Sequence, residues 1–112
     1  IQFRRQLSHG VTVSGEVATH SSINRLLESL ANVLELEGSI NVQLRLTDMG
    51  PVIFEINPRF SSTIRFRHLL GYQDLLWSLQ ELEGEKIGNY TPPQKGRKIY
   101  LGAEEYILSD KF

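Results

Sequence analysis

The chain has 112 residues, a formal net charge of -1 and no cysteine. This length allows one domain at most, and the near-neutral charge provides no basic field to attract nucleic acid or an anionic membrane. The lack of cysteine excludes disulfides and thiolate chemistry. The sequence shows no signal peptide and no apolar run near the ~20 residues that span a bilayer, so we expect a cytoplasmic protein.

The first part of the chain predicts a β-hairpin followed by a helix. Apolar and polar residues alternate over residues 1–7 and 11–17, on either side of a turn at residues 8–10. Because the strand pattern starts at the first residue, we expect the chain to be a piece of a longer protein. Ser21 and Ser22 are candidates for the helix N-cap, since a serine hydroxyl accepts from an unpaired backbone N–H. Gly38 is expected to end this amphipathic helix.

A second hairpin is predicted around a turn at residues 48–51. Residues 40–46 and 52–57 alternate in the same way, and in the second strand the two predicted faces are Val52, Phe54 and Ile56 on one side and Ile53, Glu55 and Asn57 on the other. Pro58 ends this strand because proline lacks a backbone N–H. Two shorter helices are predicted after it, one closing at Gly71 and one closing at Gly84.

The last strand is predicted around Ile99 and Leu101, with a further segment at residues 106–108. The resulting order is β-β-α-β-β-α-α-β, in which hairpins rather than crossovers join the strands. This order predicts an α+β fold with an antiparallel sheet covered by helices.

The second hairpin carries the polar residues that point to chemistry. Two registers keep its apolar residues on one face, with Phe54 opposite either Leu44 or Leu46. The first register also sets Gln43 opposite Glu55, whereas the second shifts the pairing by two residues. In both, four polar side chains share the other face, with directly opposed Cβ atoms ~5 Å apart. These four residues are Asn41, Gln43, Glu55 and Asn57.

One carboxylate and several amide oxygens form an all-oxygen set that suits a hard cation such as Mg²⁺ (or Mn²⁺). Zinc or copper would require histidine or cysteine at these positions. Arg59 lies two residues beyond Asn57, where its planar guanidinium can hold phosphate oxygens in a bidentate manner. The alternative is that this polar face is simply solvated.

The literal sequence strings favour the metal interpretation. Residues 55–62 read EINPRFSS, which resembles the glutamate-x-asparagine-proline-arginine signature of the ATP-grasp superfamily. Residues 39–43 read SINVQ and are similar to the companion strand of that signature, which ends in asparagine-valine-glutamine. The pair is most similar to the versions in carbamoyl phosphate synthase large subunits and their stand-alone relatives. The resemblance covers most of the chain and implies that residues 1–112 are the C-terminal half of an ATP-grasp fold.

The resemblance also implies roles for individual residues. Glu55 would bridge one or two Mg²⁺ ions, with Gln43 on the first and Asn57 on the second. Arg59 would be the catalytic residue that contacts the transferring phosphate. Asn41 and Arg59 would lie on the nucleotide side. His9 is either a further nucleotide contact or an exposed histidine at a turn.

The implied reaction is that of a carboxylate–amine ligase or a carbamoyl-phosphate-synthase-like enzyme. A carboxylate or bicarbonate oxygen attacks ATP, and an amine or ammonia captures the acyl phosphate. The glycine-rich loop and lysines that hold ATP belong to the preceding half of the family's fold, so we expect this piece to be inactive alone. A homodimer is left open. The alternatives are a non-catalytic nucleotide-binding or interaction module, and a structural domain that matches by chance.

Four other arginines have two interpretations each. Arg65 and Arg67 follow the signature and either meet a substrate anion or are solvated on a helix surface. Arg4 and Arg5 either line the cleft or protect a strand edge.

Overall fold

The structure is a computed structural model that describes residues 1–103 of the chain. The element order is the predicted one, while the strand segment predicted at residues 106–108 lies outside the described residues. The elements are β1 (Gln2–Ser8), β2 (Val11–Ala18), α1 (Ser21–Val33), β3 (Asn41–Thr47), β4 (Gly50–Asn57), α2 (Ile64–Leu69), α3 (Asp74–Leu82) and β5 (Lys98–Tyr100).

The strands form two antiparallel sheets, one with the order β1-β2-β5 and one made of β3 and β4. In the first hairpin His9 and Gly10 both have positive φ, 49° and 79°. Such a pair forms the tight two-residue turn whose twist matches that of the flanking strands. The predicted α+β class with antiparallel strands is therefore confirmed, although the strands of residues 1–103 form two sheets and not one.

The β3–β4 hairpin adopts the first of the two predicted registers at its open end. There Gln43 lies opposite Glu55, as that register requires. The predicted pairing of Leu44 with Phe54 is wrong, because the register shifts by one residue and Leu44 lies opposite Ile53. Phe54 is the extra residue of a β-bulge, which lets one strand carry two residues against one of its partner.

Because of this bulge, the faces predicted for β4 are wrong near the turn. Val52 was expected on the apolar face, but it lies opposite Arg45 of β3. Ile53, expected on the polar face, lies opposite Leu44. The alternation that holds for residues 55–57 therefore does not extend unbroken to the turn.

Helix α1 begins without the predicted serine cap. Its N-cap residue is His20, whose side chain makes no capping hydrogen bond, and Ser21 is already helical. The backbone N–H of His20 donates instead to Oε1 of Gln2 at 3.1 Å. Gln2 also donates from Nε2 to the Asn24 side chain at 2.6 Å. A residue of β1 therefore supplies the hydrogen bonds at this helix start.

Helix α1 also ends earlier than Gly38. It closes after Val33, and Glu35 takes the left-handed conformation with φ 47°. The N–H of Leu36 donates to the carbonyl of Ala31 at 3.1 Å, and the N–H of Glu35 donates to that of Asn32 at 3.4 Å. These two bonds form a Schellman ending, in which glycine is the usual left-handed residue. The endings predicted at Gly71 and Gly84 are confirmed, with φ of 87° and 72°.

The buried apolar residues come from β2, from α1, and from α2 with the residue that caps it. Helix α1 also contacts β4. No helix within residues 1–103 is long and apolar enough to cross a membrane. The buried apolar side chains of the described chain are Val17, Ile23, Phe66 and Leu70.

Candidate active site

Residues from both faces of the β3–β4 hairpin line a cleft of about 1300 Å³, together with residues of β1 and β2 from the other sheet. Asn41, Gln43 and Glu55 line this cleft. Asn57 lies opposite Asn41, and its Nδ2 donates to Oε1 of Glu55 at 2.5 Å. Gln43 and Asn57 are half-buried, while Glu55 is exposed. The predicted grouping of these four side chains is confirmed, and their role as ligands stays a prediction.

A guanidinium from the other sheet reaches this group. Arg5 of β1 donates from Nη2 to Oε1 of Gln43, across 38 positions of sequence. Arg4 and Arg5 both line the cleft, as the first of their two interpretations requires. They also lie on β1, which is an edge strand of its sheet, so the strand-edge interpretation stays open. The contact shows that a positive group is accommodated against the amide oxygen of Gln43.

Arg59 lies at the same cleft, just beyond the end of β4. Its backbone N–H donates to the carbonyl of Asn57 at 2.8 Å, which bends the chain sharply at Pro58. Its side chain is exposed and donates from Nη1 to the carbonyl of Phe60 at 3.0 Å. The bend therefore turns Arg59 out of line with the strand, at a cleft that Gln43 and Glu55 also line.

His9 is not brought to this group. It is exposed in the β1–β2 turn, where its Nδ1 lies 3.1 Å from the Ser8 hydroxyl oxygen. It is absent from the lining of the cleft that Gln43 and Glu55 share. The structure therefore matches the exposed-turn interpretation of this histidine.

The chemistry of the donor set fits a hard cation. Within residues 1–103, no group of three or more histidine, cysteine, aspartate or glutamate side chains is placed to hold a metal ion. A cation at the Gln43–Glu55 pair would meet one carboxylate, that of Glu55, and the amide oxygen of Gln43, with Asn57 hydrogen-bonded to Glu55. Such an all-oxygen set suits Mg²⁺, which keeps several waters and shares its remaining positions with phosphate oxygens.

Comparison with known families agrees with this geometry. A family model described as "ATP-grasp in the biosynthetic pathway with Ter operon" matches residues 1–103, almost the whole of the 112-residue chain. The chain belongs to this ATP-grasp family. ATP-grasp proteins are generally ATP-dependent ligases that bind ATP and Mg²⁺. No curated protein matches the chain significantly.

The ATP-grasp chain contains a second polar group that the sequence patterns did not reveal. Arg67 of α2 was predicted either to meet a substrate anion or to be solvated on a helix surface. It is buried, with 8% of its surface exposed, so the solvated alternative is wrong. Because Arg67 lies in the lining of the cleft, contact with a substrate anion stays a prediction. Arg67 forms an ion pair with Asp74, which is 7% exposed. Nη2 of Arg67 lies 2.7 Å from Oδ2 of Asp74, and its Nε lies 3.1 Å from the same oxygen. Solvation of Arg67 is excluded because the chain turns back at Gly71 and places α3 against it.

The same guanidinium also holds the segment that follows Arg59. Nη1 of Arg67 donates to the Ser61 hydroxyl and, at 3.1 Å, to the Thr63 hydroxyl. Ser61 and Thr63 are also hydrogen-bonded to each other at 2.8 Å. Arg67 therefore joins three elements of the ATP-grasp fold: the signature segment, α2 and the start of α3. Two sequence features are consistent with this ion pair: Arg67 directly follows the apolar Phe66, and Asp74 is the first residue of the next helix.

Tyr72 packs beside this ion pair. The helix ending at Gly71 brings the Tyr72 backbone N–H to the carbonyl of Arg67 at 2.9 Å. Its ring makes edge-to-face contacts with Trp77 and Tyr90, with centroids 5.1 and 5.3 Å away. Burial raises the pKa of Tyr72 above its ordinary value of 10.0, and the Asp74 carboxylate raises it further, against an opposing effect of Arg67.

Proposed function

We propose that the chain is the Mg·ATP-binding C-terminal subdomain, residues 1–112, of a longer cytoplasmic ATP-grasp enzyme. The reaction we propose is that of a carboxylate–amine ligase or a carbamoyl-phosphate-synthase-like enzyme. The observation that carries the proposal is the pairing of Gln43 with Glu55 at the cleft where Arg59 lies.

In this proposal Gln43, Glu55 and Asn57 hold Mg²⁺. The bound ion supplies a positive charge that neutralises phosphate oxygens and orients the nucleotide. Glu55 contributes the only carboxylate of the set, so it provides most of the attraction for the cation. Asn57 keeps the Glu55 carboxylate oriented, because its amide donates to one carboxylate oxygen.

Arg59 acts on the phosphate that is transferred. Its guanidinium carries a fixed positive charge in a planar fork that matches two phosphate oxygens. A charge preorganised for the transition state lowers the barrier without having to reorganise during the reaction. Asn41 lies opposite Asn57 at the open end of the hairpin and is proposed to contact the nucleotide.

The proposed chemistry has two steps. An oxygen of the carboxylate or bicarbonate substrate attacks the γ-phosphorus of ATP, the bond from that phosphorus to the bridging oxygen breaks, and ADP leaves. An amine or ammonia then attacks the acyl carbon, phosphate leaves with the bonding electron pair, and the nitrogen loses a proton. Such phosphoryl transfer depends mainly on positioning and charge stabilisation. The glycine-rich loop and lysines needed to cover ATP are proposed to lie in the N-terminal half of the longer protein.

The deciding experiment measures ADP release by the full-length protein with Mg·ATP, a panel of carboxylates and bicarbonate, and ammonia or amines. We expect turnover by the wild type and none by Glu55→Gln, which keeps shape but removes the carboxylate charge. Glu37→Gln, at an exposed loop position, is the matched control and should retain activity. If no substrate supports turnover but Glu55→Gln still abolishes Mg·ATP binding, the protein is a non-catalytic nucleotide-binding module. If Glu55→Gln turns over normally, the proposed site is wrong.

A further inference from the structure

The segment between β4 and α2 belongs to neither a helix nor a strand. It spans residues 58–63 and contains Arg59, the residue proposed to act on the phosphate. Backbone hydrogen bonds hold its two ends, from the N–H of Arg59 to the carbonyl of Asn57 and from the N–H of Ile64 to the carbonyl of Ser61, and side-chain contacts hold it in addition. Arg67 supplies two of them, since its Nη1 donates to the hydroxyls of both Ser61 and Thr63.

We propose that Arg67 and Asp74 are positioning residues, which hold residues 58–63 so that Arg59 stays at the cleft that Gln43 and Glu55 also line. This inference rests on the proposed function of Arg59. Both residues are buried, and they form an ion pair with each other. Arg67 alone donates to the two hydroxyls. Both residues also line the cleft, but their side chains are already paired in this way, so we assign their action to the segment and not to the substrate.

The chemistry of the pair supports a positioning role. A buried ion pair is weak evidence for stability, because the loss of hydration of two charges offsets most of their attraction. Arginine nevertheless has a rigid fork of five N–H donors. Asp74 accepts from Nε and Nη2 of Arg67, which leaves Nη1 directed at Ser61 and Thr63. Asp74 therefore fixes the orientation of the guanidinium, and the guanidinium fixes the segment.

The position of Ser61 connects this pair to Arg59. Only Phe60 separates the two residues, and the carbonyl of Phe60 accepts from the Arg59 side chain at 3.0 Å. The carbonyl of Ser61 accepts from the N–H of Ile64 at 3.1 Å, which joins the segment to the start of α2. A displacement of Ser61 would therefore move both the backbone of Arg59 and the acceptor of its side chain.

Two variants of the full-length protein separate positioning from folding. The double variant Ser61→Ala/Thr63→Val removes the two acceptors and keeps the ion pair. The double variant Arg67→Met/Asp74→Leu removes the donor and replaces both charges by apolar groups of similar volume, a change that buried ion pairs often tolerate. Ser78→Ala is the control, since the Ser78 hydroxyl donates to the backbone carbonyl of Asp74 and to no residue of the segment.

We expect both double variants to lower kcat for ADP release by a factor on the order of 10–100, similar to that from small misplacement of a catalytic group. The KM for ATP should change little. When the protein already carries Arg59→Lys, the double variants should lower kcat little further, because two changes that remove one interaction are not additive. Equal losses in both backgrounds would overturn the proposal.

Amide hydrogen exchange tests the same inference without turnover. We expect faster exchange at Arg59 and Ile64 in both double variants, and unchanged exchange in β3 and β4, where the metal ligands are proposed to lie. If the wild type shows no ATP turnover, the proposed function fails, while faster exchange at these two amides still supports control of the segment. Unchanged exchange overturns the inference whatever the turnover.

Discussion

Gln43 and Glu55 lie directly opposite each other at the open end of the β3–β4 hairpin, and Phe54, the residue preceding Glu55, is the extra residue of a β-bulge. The bulge separates two registers: the polar pairs on one side of it and the turn-proximal pairs on the other. Bulges frequently lie next to functional sites, where they redirect a side chain. Here the bulge lets the cleft-lining pair keep its face while Leu44 lies opposite Ile53.

The Gln43 side chain is expected to contribute to metal–nucleotide binding. Gln43→Met keeps a similar shape but removes the amide oxygen that accepts from Arg5. Because a cation ligand is lost, we expect Mn²⁺·ATP to bind the full-length protein on the order of tenfold more weakly, comparable to loss of a supporting group at a metal site. Electron paramagnetic resonance of Mn²⁺ measures this, with Gln80→Met of α3 as control. Equal affinity in the two variants would show that Gln43 does not bind the metal.

Arg59 is expected to affect the chemical step more than nucleotide binding. Arg59→Lys keeps the charge but loses the bidentate fork, so kcat should fall by a factor of ~10²–10³ while the KM for ATP rises little. The melting temperature should barely change, because the side chain is exposed. Steady-state ADP release and a melting curve decide this, with Arg25→Lys, exposed on α1 and outside the cleft lining, as control. A large loss of melting temperature with unaltered turnover would assign Arg59 a structural role.

Residues 1–112 alone are expected to bind ATP weakly or not at all. The glycine-rich loop and lysines that cover the nucleotide are proposed to lie in the N-terminal half of the longer protein. Calorimetry with Mg·ATP on this segment and on the full-length protein is the test, with circular dichroism to establish that the segment is folded. Micromolar binding by the folded segment would contradict the placement of the nucleotide between two halves.

Tyr72 is expected to make the domain sensitive to alkali. Its folded pKa is raised above 10.0 by burial and by Asp74, so the fold favours the neutral phenol. This stabilisation is present below pH ~10 and is lost as the pH rises from there through the folded pKa. Tyr72→Phe, which keeps the ring against Trp77, should reduce the fall in melting temperature between pH 9 and ~11. The exposed Tyr100→Phe serves as control, and identical profiles for both variants would exclude this role.

Glu35 is expected to carry backbone strain at the end of α1. Its φ of 47° costs ~1–2 kcal/mol for a residue with a Cβ atom, and glycine removes this cost but loses ~0.5–1 kcal/mol in chain entropy. Glu35→Gly should therefore stabilise by about 0.5 kcal/mol in denaturant unfolding. Glu28→Gly, in the right-handed part of α1, should instead destabilise by ~1 kcal/mol. Destabilisation by both changes would show that the ending of α1 is not strained.

The sequence by itself determined the features that depend on neighbouring residues. The order of elements, the endings at Gly71 and Gly84, and the shared face of Glu55 and Asn57 follow from alternation and from glycine conformation over a few positions. The ending of α1 at Glu35 could not be read in this way, because an ordinary residue occupies the left-handed position that glycine usually takes.

The tertiary structure decided the contacts between distant segments. The bulge at Phe54, the reach of Arg5 to Gln43 and the burial of Arg67 against Asp74 all require two elements to meet. Arg67 illustrates the reason. Its position on a short helix permits either a solvated or a buried side chain, and only the packing of α3 supplies the carboxylate that stabilises the buried guanidinium.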